Sequence, residues 1–157
     1  MQVVDQLRQT TPERFFEIYS ALENQGFGPL DHGVAKALNF RPQAIRKLPM
    51  AQRARRAQSI LMSQSNADMT YELFGSYLMK TQKELVTSFL DETGVSHDEG
   101  MIDDDDENVP DVGKLEAALE KLDGDHGAED VTLYLSICAE QWSQVPEIET
   151  AWRGRLA

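Results

Sequence analysis

Apolar residues along this chain recur mostly at intervals of three and four, the spacing of one face of an α-helix. Phe15, Ile18, Tyr19 and Leu22 form the first clear stripe, opened by Thr11-Pro12-Glu13 and stopped at Gly26. That opening supplies a hydroxyl for orphan N–H groups, a proline where no donor is required and a carboxylate at the positive end of the helix dipole. Val34, Ala35 and Leu38 predict a short helix over 31–38, and Pro42 opens another that carries Ile45 and Leu48. Pro49 ends that helix or begins the next, in which Met50, Ala54, Ala57 and Leu61 make a narrow apolar stripe. Arg55 and Arg56 point away from the stripe and Arg53 stands at its margin.

The longest pattern starts at Ser65-Asn66-Ala67-Asp68 and runs to about Glu92, with Leu73, Phe74, Tyr77, Leu78, Leu85, Phe89 and Leu90 inward and Gly94 as the stop. So wide an apolar face predicts the central helix of the fold. Residues 95–108 are expected to form an irregular connection pinned by Met101 and Ile102. Pro110 and Asp111 open a helix with Val112, Leu115, Leu119 and Leu122; a turn is expected at Asp123–Gly127. Val131, Tyr134, Leu135, Cys138 and Trp142 share the next stripe, and Ile148 and Trp152 belong to a last short helix. No stretch alternates with period two and no repeat of 20 to 50 residues is present, so strands are at most minor. The expected fold is all-α: a single compact domain over 1–157, a bundle of six to eight helices. A subdivision follows the charge, into a tri-helical subdomain at 10–64 packed on an acidic helical bundle at 65–157.

Composition narrows the function classes. With 41% hydrophobic residues in 157, the chain carries enough apolar surface for a core and is not disordered as a whole. No apolar run is long enough to span a membrane, and the N-terminal residues lack the basic stretch and apolar run of a secretory signal. One cysteine excludes an internal disulfide framework and a multi-cysteine zinc site, so a cytoplasmic location is expected.

Charge is unevenly distributed. The net −12 divides into −3 over residues 1–31, +7 over 32–67 and −16 over 68–157. The middle segment contains no acid; its bases are Lys36, Arg41, Arg46, Lys47, Arg53, Arg55 and Arg56. Over distances beyond a Debye length of about 8 Å such a face acts independently of the rest of the chain.

A helix-turn-helix requires a small residue in its first helix, a turn residue that tolerates positive φ and apolar residues at set offsets. Residues 31–50 meet these needs with Ala35, Asn39, and Val34, Leu38, Phe40, Ile45 and Leu48. The segment Leu38-Asn39-Phe40-Arg41-Pro42-Gln43-Ala44-Ile45 resembles the turn and the start of the recognition helix of bacterial helix-turn-helix regulators. The resemblance covers about 20 of 157 residues, departs from the pattern at Asn39, and is cut short by Pro49. It implies that Gln43 and Arg46 reach base edges and that Lys47 reaches a phosphate. The candidate binding face, for nucleic acid or a partner, is therefore Arg41, Gln43, Arg46, Lys47, Arg53, Arg55 and Arg56.

Other chemistry finds little support. As a calcium loop, Asp103, Asp105 and Glu107 would fill positions 1, 3 and 5, but position 6 is Asn108 and the closing position 12 is Lys114. His97-Asp98-Glu99 matches the His-x-Glu of zinc deaminases without their Pro-Cys-x-x-Cys partner. His97 and His126 are expected as exposed turn residues. Neither a Gly-x-Ser-x-Gly elbow nor a glycine-rich phosphate loop is present, and Cys138 lies on an apolar stripe, where a buried, inert thiol is expected. No catalytic residue, metal ligand or cofactor is assigned. The expected function is a non-enzymatic protein-interaction or regulatory module, with a DNA-binding regulator using 31–50 as the alternative; the expected partner is another protein, or nucleic acid through the basic segment 36–56.

Overall fold

The computed structural model describes residues 2–24, 47–63 and 67–156. The fold is all-α. Eight helices are present among the described residues: α1 (Gln2–Gln9), α2 (Pro12–Asn24), α3 (Met50–Ser63), α4 (Ala67–Thr81), α5 (Lys83–Glu92), α6 (Val112–His126), α7 (Ala128–Gln141) and α8 (Pro146–Arg153). One antiparallel hairpin, β1 (His97–Asp98) with β2 (Met101–Ile102), lies between α5 and α6. The helices predicted at 31–38 and from Pro42 to Leu48, with Arg41, Gln43 and Arg46, lie outside the described residues, apart from a turn at Lys47 and Leu48 that leads to Pro49. The chain divides into two compact units, one reaching to Tyr77 and the other running from Leu78. The division falls inside α4, where the charge pattern had placed it at 64/65.

In the first unit α2 packs on α3. The Thr11 hydroxyl caps α2 by accepting from the Arg14 N–H at 3.1 Å. Phe15, Ile18, Tyr19 and Leu22 are all buried, as are Ala54, Ala57 and Leu61 on α3. Removing each large apolar side chain from water contributes about 1.5–3 kcal/mol. The Gln58 amide donates to the Thr10 carbonyl at 3.0 Å, which sets the C-terminal half of α3 beside the start of α2. Helix α1 was not expected. Its Val3, Val4 and Leu7 are fully buried, but a single apolar turn with adjacent β-branched residues gives too short a period to recognise.

In the second unit α5 packs on α6, α6 on α7 and α7 on α8. The helix expected from 65 to about 92 is two helices, broken at Gln82 (φ −131°, ψ 40°). Leu78 and Leu85 lie seven residues apart, so the apolar period passes through the break unchanged. Lys80-Thr81-Gln82-Lys83-Glu84 places no apolar side chain in that turn to hold it in register. The most enveloped helix is α7, whose residues 133–139 are all buried; it, rather than the long pattern, is the central helix of its unit. Trp152 and Ile148 bring α8 against it, both fully buried.

The predicted stop at Gly94 has a full hydrogen-bonded form: at φ 75° its N–H donates to the Asp91 carbonyl and the Val95 N–H to that of Leu90. Asp111 caps α6 by accepting from the Gly113 N–H at 3.0 Å. Two expectations about α6 are corrected. Val112 is exposed, because it stands in the first turn beyond the stripe formed by Leu115, Ala118, Leu119 and Leu122. Asp123–His126 is helix rather than turn; the reversal is concentrated in Gly127, at φ 91°.

The connection expected to be irregular contains a regular hairpin over 97–102, while 103–109 carries neither helix nor strand. Glu99 (φ 51°) and Gly100 (φ 94°) give the hairpin the two positive-φ central residues of a tight two-residue turn. Ile102 is half-buried, but Met101 does not pin the loop: two-strand alternation sends it outward, where it is 70% exposed.

Candidate interaction surface

An open groove of about 550 Å³ runs between α2 and α3 in the first unit. Its walls follow from helical spacing. On α2, Phe15, Ile18, Tyr19 and Leu22 take the buried face, so Pro12, Glu13, Phe16 and Glu17 fall on the adjoining one. On α3, Ala51, Arg55 and Gln58 occupy positions i, i+4 and i+7 beside the buried Ala54. The surface within is mostly apolar, and Phe16, 38% exposed, presents much of its ring to solvent there. Glu13 and Glu17 are among the α2 lining and Arg55 among the α3 lining, the Glu17 carboxylate accepting from Arg14.

The three arginines of α3 have separate fates. Arg53, one position before Ala54, turns inward: it is 6% exposed and its guanidinium lies over the Tyr19 ring, 6.0 Å from the centroid. Placed by periodicity at the margin of the stripe, it belongs to the α2–α3 packing and not to the binding face. Arg55 and Arg56 are exposed, and so is Lys47 in the turn before α3. Among the described residues these three form no ion pair. Elsewhere in the unit, Arg8 pairs with Asp5 at 3.0 Å, and Arg14 with Glu17 at 2.9 Å while lying over the Tyr77 ring.

Four cations of the second unit stand against carboxylates. Lys121 meets Glu92 at 2.5 Å, which holds the lysine above its ordinary range. Arg153 reaches Glu149 at 2.9 Å and lowers that carboxyl. Lys83 stands 3.5 Å from Glu99 in the hairpin. Arg155, just beyond α8, makes the densest set: both terminal nitrogens donate to the Asp123 carboxylate, one of them at 3.0 Å, and Nε donates to the Thr132 hydroxyl at 2.9 Å. That guanidinium ties the chain after α8 to α6 and α7.

The remaining candidates of the sequence also have definite places. His97 is not an exposed turn residue: its side chain is 11% exposed, its Nδ1 accepts from the Gly100 N–H at 3.0 Å and its Nε2 lies 2.7 Å from the Asp91 carboxylate. A neutral ring with the proton on Nε2 satisfies both bonds. The acidic run Asp103–Glu107 is held from behind by Asn108. Its amide nitrogen donates to the Ser96 and Asp103 carbonyls at 2.8 and 3.0 Å, and its amide oxygen accepts from the Ser96 N–H at 2.7 Å. The signal for this clamp is a lone asparagine ending an aspartate run, too common to single out. No group of three metal-ligating side chains is gathered among the described residues. Cys138 is buried in the centre of α7, and burial pushes its thiol pKa up, out of the range of a nucleophile. No helix among the described residues is long and apolar enough to cross a membrane.

Comparison with family models, curated proteins and solved structures finds no match to this chain.

Proposed function

We propose that this chain is a non-enzymatic protein-interaction module that binds its partner through the α2–α3 face. The observation that carries the reading is the juxtaposition of an open, mostly apolar groove lined by Phe16 and Arg55 with the exposed Arg56 next along α3; among the described residues neither arginine forms an ion pair. An arginine left in water beside an exposed aromatic ring suits a partner that brings an apolar anchor and a carboxylate together. The competing ligand is duplex DNA through the basic segment 36–56. At this groove Glu13 and Glu17 oppose it, since they would stand against phosphate.

The test is fluorescence anisotropy with two labelled probes at low and high salt: a peptide carrying a single methionine among aspartates, and a random-sequence duplex. The expected result is saturable peptide binding that weakens with salt and is lost in Arg55→Glu/Arg56→Glu and in Phe16→Ser. Duplex binding with a steep salt dependence, and none of the peptide, would replace this reading with the nucleic-acid one.

A further inference from the structure

His97 stands at the root of the hairpin with both ring nitrogens committed. Nε2 lies 2.7 Å from the Asp91 carboxylate near the end of α5, and Nδ1 accepts from the Gly100 N–H at 3.0 Å. With neither nitrogen open, the His97–Asp91 pair offers no base to a substrate. The ring is instead a strut for the turn, and the turn has need of one. Glu99 is held at φ 51°, in a region that a residue with a Cβ seldom takes. Gly100, at φ 94°, packs so closely on α4 and α5 that a Cβ there would meet the Met79 Cε at 3.0 Å and the Val86 Cγ1 at 3.7 Å.

We infer that His97 is a pH-sensitive latch: a second proton on its ring, taken from solvent at Nδ1, breaks the bond to Gly100 and frees the Glu99–Gly100 turn from α4 and α5, while Nε2 stays on Asp91. The proton occupies the lone pair that the Gly100 N–H uses, and sets two donors against each other. Histidine is the side chain whose charge changes between about pH 5 and pH 8, so the latch works while carboxylates remain ionised. On α5 the charged groups about the ring are Asp91, and Lys83 through its contact with Glu99 at 3.5 Å. In the hairpin they are Asp98 and Glu99, and after β2 comes Asp103, whose N–H donates to the Ser96 carbonyl at 3.0 Å. Met79 of α4 and Val86 of α5, against which Gly100 packs, are uncharged. Apart from Lys83, which is paired with Glu99, these charges are carboxylates, so the repulsion that a charged ring meets is at the Gly100 N–H. The rest of the connection is fastened independently of the ring, through the bonds of Asn108 to Ser96 and Asp103. The opening is therefore confined to the turn, and it carries the exposed Met101 with it.

Amide hydrogen exchange of the full chain by NMR, between about pH 8 and about pH 5, reads the latch directly. Each rate is taken relative to that of an unstructured amide at the same pH, and the ring nitrogen shifts of His97 are recorded alongside. The expected protection of the Gly100 amide falls about tenfold as Nδ1 takes its proton, with the midpoint of the ring's own titration. The Asp103 amide keeps its protection throughout. His97→Ala lacks the acceptor, so its Gly100 amide is as weakly protected at the upper pH as that of the wild type at the lower, and shows no transition. Unchanged helical circular dichroism verifies the fold of the variant, and the ring shifts of the wild type test the latch without it.

A Gly100 amide whose protection stays constant while Nδ1 takes up a proton overturns the inference. So does a Gly100 amide without protection at the upper pH, a ring that stays neutral down to the lower one, or a loss shared equally by Asp103. The same transition in His97→Ala would place the titrating group elsewhere and overturn it as well.

Discussion

Arg155 and Arg55 are the same side chain in two settings. Arg155 has its guanidinium nitrogens engaged by Asp123 and Thr132, across α6 and α7. Arg55 projects from α3 into water at the edge of a groove and pairs with nothing among the described residues. The contrast extends to their neighbours: Lys83, Lys121 and Arg153 each face a carboxylate in the second unit, while Arg56 and Lys47 in the first do not. Lys114 in the second unit also forms no ion pair among the described residues, but no other cation stands within a turn of it along the sequence. In a chain with 27 acids, a cluster of cations that pairs with none of those described has no visible role in holding the described part of its unit together. That is the physical ground for proposing the cluster as a binding surface, while Arg155 is held within the fold.

The largest effects belong to the cores, where the two units are alike. Trp152→Ala removes a fully buried indole from beneath α8, and Phe15→Ala removes a fully buried ring from α2. Each is expected to cost about 3–5 kcal/mol, measured as a lowered urea midpoint by circular dichroism. A Trp152→Ala protein near wild-type stability would mean that α8 is a peripheral attachment, and the contrast would then have to be drawn within the second unit.

Arg155 comes next. Arg155→Ala leaves the Asp123 carboxylate without its bidentate partner and is expected to cost about 1–3 kcal/mol. Arg155→Lys should recover less than half of the loss, because an ammonium cannot reproduce two parallel N–H bonds together with the bond to Thr132. Full recovery by lysine would reduce the clasp to simple charge pairing and bring Arg155 closer in kind to the exposed cations.

Sequence periodicity read the buried faces well, because a stripe at three and four positions depends only on helix geometry. Phe15, Ile18, Tyr19 and Leu22, the stripe of Ala54, Ala57 and Leu61, and the pair Ile148 and Trp152 all lie where the spacing puts them. What it missed has separate physical reasons. The break at Gln82 preserves the period, so no apolar residue reports it. Helix α1 is shorter than the window in which a period can be seen. The hairpin depends on a positive φ at Glu99, a residue type that seldom takes it, and on the His97 bonds that hold it. For the candidate surface, charge counting found the basic segment but not which arginines are available. Periodicity placed Arg53 at the margin of the stripe and Arg55 away from it, and the position of the Tyr19 ring decides that Arg53 turns inward. The groove itself was invisible, since it requires Phe16, off the stripe of its own helix, to stand opposite Arg55.

Cys138 sharpens the comparison from the opposite side, as a reactive group of the second unit that is given nothing to react with. Burial raises its thiol pKa in the folded chain, while the unfolded thiol titrates near about 8.5. Above that value the unfolded state has lost the proton that the folded state keeps. Stability is therefore fully present below it and declines as pH rises through it toward the folded value, by about 1.4 kcal/mol per pH unit. Comparing urea midpoints of wild type and Cys138→Ala between pH 7 and pH 10 isolates the slope, whatever the fixed cost of the substitution. Equal slopes would mean that the folded thiol ionises as easily as the unfolded one.

The smallest expected effect is the one on which the comparison turns. Arg55→Glu/Arg56→Glu is expected to change stability by no more than about 0.5 kcal/mol, because neither side chain has a partner to lose among the described residues. Arg53→Ala is the control within the same helix. It removes a buried guanidinium from over Tyr19 and is expected to cost more than about 1 kcal/mol through lost packing and a lost cation–π contact. If all three substitutions proved equally costly, Arg55 and Arg56 would be structural like Arg155, and the groove would lose the charge that recommends it as a binding surface. A cost confined to Arg53, with peptide binding lost only in the outer pair, separates fold from function at adjacent turns of one helix.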